Sequence, residues 1–71
     1  MRTEKECIKY LVDYVAVSAR YIDETDDGYM FELYDEIEEN WECIVLVKKD
    51  ENIRIEDYEV LHGSVPPIIE L

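Results

Sequence analysis

Ten carboxylates and no basic side chain lie in the 27 residues between Arg20 and Lys48. Carboxylates at this density can supply an acid–base pair, hold a metal ion or face a strongly basic partner. They carry −10 of the formal charge of −12 on the chain. The ten residues are Asp23, Glu24, Asp26, Asp27, Glu32, Asp35, Glu36, Glu38, Glu39 and Glu42.

Large apolar and aromatic side chains are interleaved with these carboxylates. Disordered acidic segments lack such side chains, because they cannot bury enough apolar area to fold. We therefore expect a folded surface that holds many carboxylates close together. The interleaved residues are Tyr21, Ile22, Tyr29, Met30, Phe31, Leu33, Tyr34, Ile37 and Trp41.

Residues 23–28 match the opening of an EF-hand calcium loop, with Asp at the first and fifth positions, Thr at the third and Gly at the sixth. The loop also requires a bidentate Glu at its twelfth position, where this chain has Tyr34. A strand rather than a helix is expected to follow. The segment therefore predicts an acidic hairpin turn and no specific metal site.

Catalytic patterns in the chain are weak. His62 is the only histidine, and neither Ser18 nor Ser64 lies in the strand-to-helix turn that typifies a nucleophilic serine. A catalytic pair of carboxylates requires a cleft that separates their pKa values, and 71 residues leave little room for one. We expect no enzymatic activity and no cofactor.

Composition and cysteine usage indicate the compartment and exclude some partners. A pI near 4.2 disfavours direct binding to nucleic acid or to a membrane, since anionic surfaces attract basic faces. No apolar run has the length of a signal-peptide core or a membrane span. Cys7 and Cys43 lack the spacing of a redox or zinc motif. We expect a cytoplasmic protein with two buried free thiols, and a disulfide between them is the alternative.

The N-terminal segment predicts a helix from Glu4 to about Tyr14. Thr3 and Glu6 match a capping box, in which the Thr3 side chain accepts from the Glu6 amide and the Glu6 side chain accepts from the Thr3 amide. The apolar residues at helical spacing are Cys7, Ile8, Leu11, Val12 and Val15. β-branched residues favour a change to strand near Val15.

The rest of the chain predicts an antiparallel sheet. Residues 17–22 and 29–34 are expected to pair as a hairpin, with Asp27-Gly28 supplying a positive φ. Residues 35–40 form a polar connector or one helical turn. The apolar run of residues 41–47 predicts a strand buried on both faces, and residues 53–61 predict the last strand after a turn at 48–52.

These elements predict an α+β fold, with one N-terminal helix packed on a three- to four-stranded antiparallel sheet. Residues 1–62 form the single domain, and residues 63–71 form an extended apolar C-terminal tail that contains Pro66 and Pro67. The helix covers one face of the sheet. We expect the other face to be covered in a homodimer, with the tail as the alternative cover.

The partner-binding surface is predicted to comprise the ten carboxylates together with Tyr34. Tyr34 is expected on the same strand face as Glu32 and Glu36, where an exposed tyrosine favours a protein contact. Carboxylates on one strand face recur every ~6.6 Å and can present rows of negative charge, as a phosphate backbone does.

A folded acidic chain of this size resembles phage-encoded inhibitors such as DNA mimics and anti-CRISPR proteins. The likeness is one of charge and size over the whole chain, and no motif is shared. It implies an inhibitor that engages the basic, nucleic-acid-binding groove of a partner protein. The alternative is a small structural or regulatory subunit that binds through its apolar sheet face or its tail, with the acidic residues only aiding solubility.

Overall fold

The computed structural model describes residues 1–67, and they form one helix and a four-stranded antiparallel sheet. The predicted α+β fold is confirmed. The elements are α1 (Glu4–Tyr14), β1 (Ala19–Glu24), β2 (Gly28–Asp35), β3 (Asn40–Lys48), a 3₁₀ turn (Ile55–Asp57) and β4 (Glu59–His62). The strands lie side by side in chain order, each antiparallel to the next. No helix in this described part is long and apolar enough to cross a membrane.

The N-terminal cap of α1 follows from local sequence. The Glu6 amide donates to Thr3 Oγ1 at 3.2 Å, as the capping box predicts. The second bond of the box differs, because the Glu6 carboxylate accepts from the Thr3 hydroxyl at 3.2 Å and not from the Thr3 amide. Glu4 and Glu6 also lie in the first turn, where the positive end of the helix dipole favours negative charge.

The predicted change from helix to strand near Val15 is placed too early. The amides of Val15 and Ala16 both donate to the Leu11 carbonyl at 2.9 Å, which closes the C-terminal end of α1. Val15 is buried in the core as the last residue of the helical stripe. The chain therefore needs further residues to leave the core, and β1 begins only at Ala19.

The hairpin between β1 and β2 forms as predicted, but the reason for its glycine is different. Gly28 does not adopt a positive φ. A Cβ at this position would lie 2.5 Å from the carbonyl oxygen of Val47 on the neighbouring strand. Thr25 closes the turn, since its amide donates to the Gly28 carbonyl at 2.8 Å and its Oγ1 accepts from the Gly28 amide at 3.0 Å.

The core lies between α1 and the covered face of the sheet. β2 and β3 alternate, so that every second side chain points toward the helix. Both cysteines are free and buried there, and burial raises the pKa of each thiol. The core residues are Cys7, Leu11, Val15, Phe31, Leu33, Cys43, Val45 and Val47.

The opposite face of β3 is partly buried. Leu46 is 7% exposed and Ile44 is intermediate, so the prediction of burial on both faces holds for Leu46 and only partly for Ile44. In the tail, Pro66 and Pro67 reach the C-terminal end of α1. Residues 68–71 lie outside the described part of the chain. Cover of this face by a second copy or by the tail stays a prediction.

The predicted last strand over residues 53–61 is wrong for its first half. Ile55–Asp57 forms a 3₁₀ turn, and β4 spans only Glu59–His62. Residues three apart lie on the same side of a 3₁₀ turn, so Ile55 and Tyr58 both pack against the core. A strand would place these two side chains on opposite faces.

Arg2 ties the start of α1 to the segment after β3. Its guanidinium donates to the carbonyls of Lys48 at 2.8 Å and Ile53 at 2.9 Å. Its amide donates to the Lys49 carbonyl at 3.0 Å, and its carbonyl accepts from the Tyr29 hydroxyl at 3.3 Å. The residue is only 9% exposed. One cation thus satisfies backbone carbonyls at the end of β3 and in the segment that follows it.

Replacement of Arg2 by methionine should lower the free energy of unfolding by about 2–3 kcal/mol, because partly buried carbonyls lose charged donors. Urea denaturation followed by circular dichroism measures this. Lys5→Met is the matched control, since Lys5 is exposed and the change in net charge is the same. Equal loss of stability in the two variants would show that net charge, and not the Arg2 hydrogen bonds, is responsible.

Candidate acidic interface

The sheet places nine of the ten predicted interface carboxylates in two groups at opposite ends of β2, and Glu32 lies within the strand between them. The first-turn cluster, beside the β1–β2 turn, comprises Asp23, Glu24, Asp26 and Asp27. The second-turn cluster, in and beside the β2–β3 turn, comprises Asp35, Glu36, Glu38, Glu39 and Glu42. β2 is 8 residues long, so the two turns are roughly 24 Å apart at about 3.4 Å per residue. The carboxylates therefore do not form one continuous surface.

Lysines from the end of β3 compensate the first-turn cluster. Lys49 Nζ lies 2.7 Å from a Glu24 carboxylate oxygen, and Lys48 Nζ lies 3.3 Å from Asp27. Hydrogen bonds to Glu59 and Asp27 raise the pKa of Lys48, and the hydrogen bond to Glu24 raises the pKa of Lys49. Two of the four carboxylates in this cluster are thus paired.

In the described part of the chain, the second-turn cluster has no such compensation. Within residues 1–67, none of its five carboxylates forms an ion pair with a lysine, an arginine or the N-terminal amine. Glu42 accepts a neutral hydrogen bond from Asn40 Nδ2 at 2.7 Å. The negative charge of the acidic segment is therefore concentrated at this end of the sheet.

The backbone of the β2–β3 turn is held in a defined shape. Asp35 Oδ1 accepts from the amides of Ile37 at 2.9 Å and Glu38 at 3.0 Å, which is the bonding of an Asx turn. Glu39 has a φ of 56°. Residues other than Gly, Asn and Asp rarely adopt this left-handed conformation, because Cβ approaches the backbone. The turn presents its remaining carboxylates from an ordered loop, with Ile37 exposed among them.

Glu32 and Tyr34 belong to a separate arrangement on β2. The Glu32 carboxylate lies 2.8 Å from Arg20 Nη2. The Arg20 guanidinium carbon lies 4.2 Å from the centre of the Trp41 ring. The rings of Tyr34 and Trp41 pack in a T-shaped arrangement, with 5.3 Å between their centres. We name these four residues the Arg20–Trp41 cluster.

The predicted row along one face of β2 does not form. Glu32 is paired with Arg20, and Glu36 lies in the turn beyond the end of the strand. Tyr34 is half-buried, whereas an exposed contact was expected.

A small cavity lies beside the second-turn cluster, at the C-terminal end of α1. Its volume is about 220 Å³. It is lined by residues 12–17, Tyr34, Glu36, Pro66 and Pro67, and we name it the α1-end cavity. Most of these side chains are apolar. Glu36, an exposed residue of the second-turn cluster, lies at the rim of the cavity. Acidic and apolar surfaces thus meet at one end of the molecule.

Arg20 and the α1-end cavity were not predicted from the sequence, whereas Trp41 was expected only among the aromatic residues interleaved with the carboxylates. The position of Arg20 just before the acidic run could have indicated that it pairs within that run. No local sequence pattern predicts the cavity, because its lining residues come from α1 and the loop after it, from β2 and the β2–β3 turn, and from the tail.

Residues 23–28 form the hairpin that the sequence predicts and not an EF-hand. No group of three or more His, Cys, Asp or Glu side chains in the described chain is arranged to hold a metal ion. His62 is exposed at the end of β4. Comparisons with protein-family models, with curated proteins and with solved structures found no match to this chain.

Replacement of Glu39 by glycine should raise the free energy of unfolding by about 0.5–1 kcal/mol, since glycine removes the left-handed penalty but loses more entropy on folding. Thermal unfolding at a fixed salt concentration measures the change. Glu39→Gln is the control, because it removes the charge and keeps the strained backbone. If the two variants unfold alike, the φ of Glu39 is not a source of strain.

Proposed function

We propose that this chain is a non-catalytic inhibitor that occupies a basic, nucleic-acid-binding groove of a partner protein, with the second-turn cluster as its main contact. The observation that supports this most is the placement of the cations. Lysines pair with the first-turn cluster, whereas the second-turn cluster stays without ion pairs in the described chain. An uncompensated cluster attracts a basic surface more strongly and from a greater distance.

The order of the turn adds to this support. Charged groups that are already positioned lose less conformational entropy on binding than mobile ones. Asp35 holds the turn through two backbone amides, and Glu39 occupies a conformation that Gly would adopt with less strain. A carboxylate kept at a strained position favours a role outside the fold itself.

The aromatic groups beside the turn supply the other component of a protein contact. Tyr, Trp and Arg contribute disproportionately to binding energy at interfaces. Tyr34 and Trp41 are half-buried next to the second-turn cluster. A basic groove that approaches this end of the sheet would meet carboxylates first and then an aromatic surface.

A structural or regulatory subunit is the second candidate, and exposed apolar side chains favour it. Val60 and Leu61 on the edge strand β4 are 46% and 47% exposed, and Ile22 on the other edge strand is 38% exposed. Exposed apolar side chains at sheet edges suit association with another chain. Such docking would depend weakly on salt, whereas binding through carboxylates weakens as salt increases.

The inhibitor hypothesis predicts that the chain displaces duplex DNA from at least one protein with a basic groove. Glu36→Gln, Glu38→Gln and Glu39→Gln together should weaken this competition roughly tenfold to a hundredfold, because the partner's cations lose their counter-charges. Fluorescence anisotropy of labelled DNA, measured across a panel of DNA-binding proteins, detects the displacement.

The matched control is Glu4→Gln, Asp23→Asn and Asp26→Asn, which changes the net charge equally at carboxylates that also form no ion pair in residues 1–67. The control should compete almost as well as the unmodified chain, and competition should weaken between about 50 mM and about 200 mM salt. Equal loss in both variants, or competition that salt leaves unchanged, would contradict a specific role for the second-turn cluster.

A further inference from the structure

We infer that the α1-end cavity receives one arginine side chain from the partner, with its aliphatic stem between the apolar walls and its guanidinium at the acidic rim. The inference rests on the proposed function and deepens it, because it names the side chain that the surface would recognise. Three features of the cavity support it: its size, the charge at its rim and the ring of Tyr34 in its wall.

The size of the cavity suits a single side chain. Pockets for drug-sized ligands have volumes of about 300–1,000 Å³. The α1-end cavity measures about 220 Å³, which is smaller than that range. Val12 and Val17, at 43% and 54% exposure, leave its apolar wall accessible from outside. A long side chain that enters between them would bury these methyl groups.

The rim of the cavity favours a cation at the end of that side chain. Glu36 lies at the rim and forms no ion pair in the described residues. The last turn of α1 contains no basic residue that would offset the negative end of the helix dipole. Asp13 also lines the cavity, but it is already paired with Lys9. A neutral apolar side chain would leave this negative rim unpaired.

The ring of Tyr34 in the cavity wall favours arginine over lysine. A planar guanidinium stacks on aromatic faces and binds a carboxylate through two parallel hydrogen bonds, which an ammonium cannot do. The chain already contains this combination in the Arg20–Trp41 cluster, where Arg20 stands over Trp41 and pairs with Glu32. Tyr34 and Glu36 offer a ring and a carboxylate to a second guanidinium.

Blocked tripeptides Gly-X-Gly, with X arginine, lysine or norleucine, test the inference on the full chain. Carbon-13 spectra of the valine methyl groups report binding in the cavity directly. We expect saturable shifts at Val12, Val15 and Val17 with the arginine peptide, weaker ones with lysine and none with norleucine. Glu36→Gln should weaken arginine binding roughly two- to fivefold, as expected for one exposed charge pair. Glu4→Gln should leave it unchanged.

A variant that fills the cavity provides a second, independent readout. Val17 lies in the loop after α1 and is exposed, so Val17→Trp should block the cavity and abolish the methyl shifts at Val12 and Val15. Equal binding of norleucine, equal binding of lysine, or shifts confined to the first-turn cluster would overturn the inference.

The chain's own C-terminus is the competing occupant, because Ile68 and Ile69 follow Pro67 in the sequence. If arginine binds only after Ile68→Ser and Ile69→Ser, the cavity belongs to the tail and the inference is wrong. The inference and the proposed function fail separately. Loss of arginine binding with retained DNA competition rejects only the cavity, whereas arginine binding without DNA competition rejects only the inhibitor role.

Discussion

The scarcity of cations is the constraint on which the surface of this molecule depends. Seven basic side chains accompany nineteen carboxylates, so the fold can compensate only part of its negative charge. Arg2 is committed to backbone carbonyls, Lys48 and Lys49 to the first-turn cluster, and Arg20 to Glu32. Each of these contacts also joins segments distant in sequence. The cations that hold the fold together therefore determine where negative charge stays uncompensated.

Local sequence patterns predict the secondary-structure elements that are determined by residues close together in the chain. The capping residues and the apolar stripe of α1 all lie within or directly before the helix. The observed bounds of α1 are those that the sequence predicts. The bounds of β4 depend instead on tertiary contacts. In a strand, Ile55 and Tyr58 would lie on opposite faces. The 3₁₀ turn instead places both side chains against the core. The requirement for glycine at position 28 arises from the Val47 carbonyl, which only the folded sheet brings near.

The candidate interface was predictable in composition and not in arrangement. The acidic run contains all of its carboxylates, but it gives no sign that they are divided between the two ends of β2. The pairing of Glu24 with Lys49 links residues 25 positions apart, and no local pattern encodes it. The left-handed conformation of Glu39 similarly depends on how β2 and β3 are joined. The end of the sheet where the carboxylates stay unpaired in the described chain emerges only when these contacts are placed in three dimensions.

The most direct test of the uncompensated second-turn cluster is a measurement of the electrostatic potential next to each backbone amide. Paramagnetic relaxation by a cationic and by an anionic cosolute of the same shape provides this potential residue by residue. We predict a distinctly more negative potential at the amides of residues 36–40 than at those of residues 24–28, and the difference should shrink with added salt. Equal potentials at the two turns, or a more negative potential at residues 24–28, would contradict the account.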